Sequence, residues 1–356
     1  MSSSDARPDL LSAARSVENG GTRERAREAI GLQISIFAFI LAAVVALPVF
    51  GFRSAPISGA GSIGQYAAIA AAVTAVVVFV IGRIVVAAPT RSRSLGVLDV
   101  VDVAALAVAH AVIALLGWTL AAVILEAGMI GAVVFPLPVL ALSGAAAALT
   151  AYVVYASATR MDLQLLAVVL AIFLVVGILA SMLTASDPSW WKDNLSALGM
   201  TSDLSARTFN LTLIVAGVLV TTLARYATAK IPARRQGVTA VRTCLVIVGI
   251  FLGLVGVFPV DPFFVLHTGV ASGMAVAFGV LVIALRWWLP GLSRTFLVLG
   301  YLFVAVIALL AVLFGVGYYS LTAVELIAGV LVFTWIVLFI RTADALTLDA
   351  AAADEV

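Results

Sequence analysis

Charge is the first thing this sequence lacks. Asp, Glu, Lys and Arg together make 11% of its 356 residues, and apolar residues make 64%. A soluble domain carries about 25% charged residues, so a chain this apolar excludes a fully water-solvated surface and requires lipid. Histidine is nearly absent: His110 and His267 are too few for a multi-histidine zinc site, and no metal or other cofactor is expected. The single cysteine, Cys244, excludes an intrachain disulfide. The formal charge of +2 is small and scattered, which excludes the basic stripe of a nucleic-acid binder.

What is present is apolar length. A bilayer core about 30 Å thick needs roughly 20 apolar residues per helix. Runs of that length predict ten spans, at about 30–50, 63–87, 99–124, 133–157, 163–184, 208–229, 240–258, 263–285, 295–316 and 321–340. The runs are continuous rather than alternating, so helices are expected and barrel strands are not. Positive residues test the count. One set of loops holds Arg83, Arg91, Arg93, Arg160, Arg225, Lys230, Arg234, Arg235, Arg242, Arg286 and Arg294; the other holds only Arg53, Lys192 and Arg207. Because Lys and Arg stay on the cytoplasmic side, both termini are expected there.

The expectation is therefore an all-α, polytopic membrane protein of four plus six spans. Residues 1–29 read as a charged cytoplasmic approach, 30–160 as a four-helix part, and 161–341 as a six-helix domain with an outer rim at 185–207. Residues 342–356, acidic and rich in small side chains, read as a disordered cytoplasmic tail. No cleavable signal peptide is expected, since the first apolar run is too long for one.

Polarity inside a membrane protein is costly, so the few polar residues near the spans are informative. Asp187, Lys192, Asp193, Asn194, Ser196, Asp203, Arg207 and Asn210 surround the connection between spans five and six. Asp261 and His267 lie at the next connection on the same side, and Tyr318, Tyr319 and Glu325 at the one after. Each has a plain structural reading. Trp190 and Trp191 suit the headgroup level as interfacial anchors. Asp203 suits an N-cap, or an ion pair with Arg207 four residues on. Asp261 before Pro262 suits a helix start. "DNLSALG" (193–199) suits a short helix capped by Asp193 and ended by Gly199. His267 and Asn210 suit interhelical hydrogen bonds. Their shared depth and side nevertheless point to one polar site. In the third span Asp102, Leu106 and His110 share a face, with Asp99 and Asp102 near the cytoplasmic end, close to water, and His110 deeper as a candidate proton relay.

"NLSALG" (194–199), "FN" (209–210) with Gly217 beyond it, "GVFPVD" (256–261) and His267 occur in an order that resembles the bacterial and archaeal membrane family catalogued as domain of unknown function 998. The resemblance covers about 162–341. It implies a six-span layout similar to that of the Frag1/DRAM/Sfk1 membrane proteins, which are linked to lipid organisation, and a bacterial or archaeal cytoplasmic membrane. By that analogy Asn194, Ser196, Asn210, Asp261 and His267 are the ligand-binding positions.

Four functions fit these residues. The first is a non-enzymatic binder of a lipid headgroup or small ligand, with membrane lipids as its partners. The second is an intramembrane hydrolase with Ser196 as nucleophile, His267 as base and Asp261 orienting the base, although no Gly-x-Ser-x-Gly elbow is present. The third is a secondary transporter using His110. The fourth is a structural subunit, or a homo-oligomer, packed through small-residue faces such as "GAAAALTA" (144–151).

Overall fold

The computed structural model describes residues 6–87, 96–229 and 231–354. Arg91, Arg93 and Lys230, three of the positive residues used to orient the spans, lie outside the described residues. The helices are α1 (Ala6–Phe50), α2 (Ile63–Ala87), α3 (Val97–Gly128), α4 (Pro136–Thr159), α5 (Leu163–Leu183), α6 (Leu204–Ala227), α7 (Arg235–Val257), α8 (Phe264–Trp288), α9 (Arg294–Gly315) and α10 (Leu321–Asp354). Among the described residues, ten helices are long and apolar enough to cross a membrane. Two short strands, β1 (Ala55–Pro56) and β2 (Val133–Val134), pair antiparallel. The starts follow local chemistry. Asp162 accepts the Leu165 N–H at 2.7 Å to cap α5, Ser293 accepts the Phe296 N–H to cap α9, and Pro136 opens α4 where no N–H is needed.

Two sequence expectations change here. Residues 342–354 continue α10 as helix and are not a disordered tail; their Ala and Leu content favours extending a helix already nucleated in the span. The four-plus-six division is also crossed. The chain forms two compact units, and α3 contributes to both: its residues up to Leu116 belong with α5–α10, and those from Gly117 belong with α1, α2 and α4.

In the first unit α4 packs against α1 and α2. Close approach depends on small residues: a Cβ on Gly82 would lie 2.7 Å from the Ala158 Cβ, and one on Gly144 would lie 2.9 Å from Phe39. Ala146, Ala147 and Ala151 are buried, so much of the 144–151 small-residue face is used within the chain. An apolar groove of about 340 Å³ runs between α1 and α2, lined by Phe37, Leu41, Val73 and Val77 among others.

In the second unit α5, α6, α7 and α8 pack in chain order, and α10 lies against α5, α6 and α9. The α6–α7 contact is backbone on backbone at Gly217, which faces Gly249 and Gly253. Trp335, fully buried in α10, stacks on Phe339 and Phe296 and meets Phe278 edge-on. The first part of α3 joins through Asp102, which is 6% exposed. Asp102 pairs with Arg225 and accepts hydrogen bonds from Tyr226 Oη at 2.9 Å and Thr222 Oγ1 at 3.2 Å. Asp102 is thus not the water-facing carboxylate its place in the sequence suggests.

Candidate functional site: a tied polar rim

Residues 185–203 leave α5 and return to α6 without α-helix, yet almost every turn is held. Asp187 accepts the Ser189 N–H at 2.7 Å, which with Pro188 starts a 3-10 turn over Trp190–Lys192. A second 3-10 helix, Leu195–Gly199, follows. Asp203 then caps α6 through the Ala206 N–H at 2.9 Å. The same carboxylate accepts the Ser186 hydroxyl at 2.5 Å and the Thr201 hydroxyl at 2.6 Å, so it joins both ends of the rim. These donors, the Ser186 hydroxyl foremost, hold the Asp203 carboxyl well below the ordinary carboxylate range. Its folded value lies below its unfolded value, so its contribution is present above about pH 4 and is lost as pH falls toward the folded value. Asp203→Ala is expected to destabilise by about 1 kcal/mol at pH 7; the gap between the thermal melts of the two proteins should begin to narrow only as pH is lowered below about 4.

The rim is fastened to three helices. Asn210 Nδ2 of α6 donates to the Gly199 carbonyl at 3.1 Å. The Leu195 N–H donates to Glu325 Oε2 of α10 at 2.6 Å, and Thr322 Oγ1 of α10 donates to the Trp191 carbonyl at 2.7 Å. From α8, His267 Nε2 lies 3.1 Å from Ser196 Oγ. His267 is 6% exposed, and its Nδ1 lies 2.7 Å from the Phe258 carbonyl at the end of α7. A carbonyl oxygen only accepts, so Nδ1 carries the proton of the neutral ring. Nε2 is then bare and accepts the Ser196 hydroxyl hydrogen.

Of the five positions expected to bind ligand, the structure joins Ser196 to His267 and ties Asn210 to the end of the same 3-10 helix. Asn194 is the N-cap residue of that helix, yet its side chain makes no cap bond. Its Oδ1 is buried without a hydrogen-bond partner. Asp261 stands apart. It is exposed, in a turn closed by the Phe263 N–H on the Pro259 carbonyl at 3.2 Å. Helix α8 starts two residues later than Pro262 suggests, with Phe263 at the N-cap and no side-chain cap. Asp261 therefore neither caps α8 nor orients His267; the Phe258 carbonyl holds that place. Asp193 likewise gives way to Asn194 as cap residue. Arg207 forms no ion pair with Asp203, whose oxygens are engaged by Ser186, Thr201 and Ala206. Trp191 is exposed and Trp190 half-buried. In α3, Asp99 accepts the Gly96 N–H at 3.0 Å near the helix start, and His110 Nδ1 bonds the Leu106 carbonyl at 2.7 Å.

The fold and the rim define a multi-pass membrane protein built of apolar helical spans. The chain belongs to the family described as "Protein of unknown function (DUF998)", which matches residues 165–342, half of its length, from near the start of α5 to a point within α10. No curated protein and no solved structure matches the chain.

Glu325 and Phe258 are the partners that sequence reasoning did not assign. Glu325 is an acid at the start of a span, a signal that something nearby donates to it. A backbone carbonyl such as that of Phe258 leaves no signal in residue identity.

Proposed function

We propose that the second unit holds the polar headgroup of a membrane lipid, or a small ligand of the same chemistry, beneath the rim. The rim faces outward from a bacterial or archaeal cytoplasmic membrane, with both termini inside; the loop distribution of Lys and Arg supports that orientation. The observation that carries the reading is the Asn194 Oδ1 atom, a buried acceptor with no donor among the described residues. A buried acceptor left alone costs about 1–3 kcal/mol, and a ligand hydroxyl or ammonium removes that cost. Exposed apolar side chains at the start of α8, Phe263, Phe264 and Leu266, offer contact for the attached acyl chain.

Asn194→Ala separates this reading from a structural one. Because Oδ1 bonds nothing among the described residues, the substitution should leave the melting temperature of delipidated protein no lower than that of the wild type. Lipid retained through purification, measured by mass spectrometry, should fall about tenfold, the equivalent of one lost hydrogen bond to a buried group. Unchanged lipid content would overturn the proposal.

A further inference from the structure

We propose that Ser196 and His267 form a nucleophile–base pair that hydrolyses a carboxylic ester of the lipid held at this site, an inference that rests on the headgroup reading above. Three features of the pair exceed what helix-to-rim attachment needs. The hydroxyl and imidazole are 3.1 Å apart, within the reach required for proton transfer. The imidazole is oriented by a third group: the Phe258 carbonyl fixes the proton on Nδ1 and leaves Nε2 as the base facing Ser196. The nucleophile is also fixed at both ends of its 3-10 helix, by Glu325 on the Leu195 N–H and by Asn210 on the Gly199 carbonyl. Preorganisation of this kind is what catalysis by proximity requires.

In the first half-reaction Ser196 Oγ bonds to the ester carbonyl carbon while its proton passes to His267 Nε2. The carbon–oxygen bond to the lipid alcohol then breaks, and that alcohol leaves with the proton from Nε2, giving an acyl-Ser196. In the second half-reaction water bonds to the acyl carbon, giving its proton to Nε2. The serine oxygen leaves and regains the proton, releasing a carboxylic acid. Ester and water go in; acid and alcohol come out. The orienting group is a neutral carbonyl rather than a carboxylate, so it stabilises the imidazolium less than an aspartate does.

The test uses the full chain in vesicles of phosphatidylglycerol carrying an acyl-labelled phosphatidylglycerol, together with an alkyl fluorophosphonate probe. Expected are release of labelled fatty acid and covalent probe on Ser196, located by mass spectrometry. His267→Gln should lower both rates about 100-fold or more, the scale of a lost general base. Ser196→Ala should abolish both. If wild-type protein neither takes up probe nor releases acid, yet its lipid content still depends on Asn194, the catalytic inference fails and the headgroup site stands. If probe reacts at Ser196 in a His267-dependent way while lipid content ignores Asn194, the reverse holds. Should His267→Gln not fold, the Ser196→Ala comparison alone decides.

Discussion

Gly217→Leu is expected to prevent accumulation of folded protein. A Cβ at this position would lie 2.5 Å from the Gly249 carbonyl oxygen and 2.6 Å from the Gly253 nitrogen. Both are backbone atoms in the middle of α7, so no rotamer change relieves the clash, and the two helices must separate. Separation removes the close packing that associates helices where no hydrophobic force does so. Overpacking of a core costs about 1–3 kcal/mol and more where relaxation is blocked; here the upper end applies. Even Gly217→Ala should lower the melting temperature clearly. Gly279→Ala, on α8 with nothing within 4 Å of the added carbon, is the matched control and should be neutral. Fluorescence-detected gel filtration of the three variants reads the difference, and a normal Gly217→Leu profile would refute the packing argument.

The second large effect is at Asp102. Asp102→Ala removes the acceptor for Arg225, Thr222 and Tyr226 in one step. Deleting one member of a buried pair costs about 3–5 kcal/mol when the other charge is stranded. The Arg225 side chain is 31% exposed and can reach water, so the expected cost is nearer about 3 kcal/mol. Asp102→Asn keeps two of the hydrogen bonds and should lose less. The double change Asp102→Leu with Arg225→Leu should recover much of the loss, since an apolar pair needs no mutual charge compensation. Thermal unfolding of the wild type, Asp102→Leu, Arg225→Leu and the double variant forms the cycle; additive losses would show that the two residues are not coupled.

The ten spans were legible because lipid permits few alternatives: each apolar run must be long enough and must satisfy its own backbone. Ser196, Asn210 and His267 could be picked out because polar side chains near spans are rare. Their partners could not. The Phe258 carbonyl and the Leu195 N–H are backbone groups common to every residue, and Asp102 meets Arg225 across 123 positions of chain. Asp261 misled for a physical reason. Asp-Pro is a good helix start in isolation, but here Pro259 and the Phe263 N–H close a turn around it and shift the helix to Phe264. The tail misled in the opposite way: its acidic, small-residue composition reads as coil, while the helix running into it supplies the nucleus that an isolated peptide lacks.

The fastening of 185–203 to α6, α8 and α10 has a directional consequence. The imidazole of His267 is buried and bonded to the rim through Ser196, while Phe263 and Phe264 beside it are exposed apolar side chains. On the proposed headgroup reading, traffic to His267 is two-dimensional, and its rate should scale with surface density in the membrane rather than with concentration in solution.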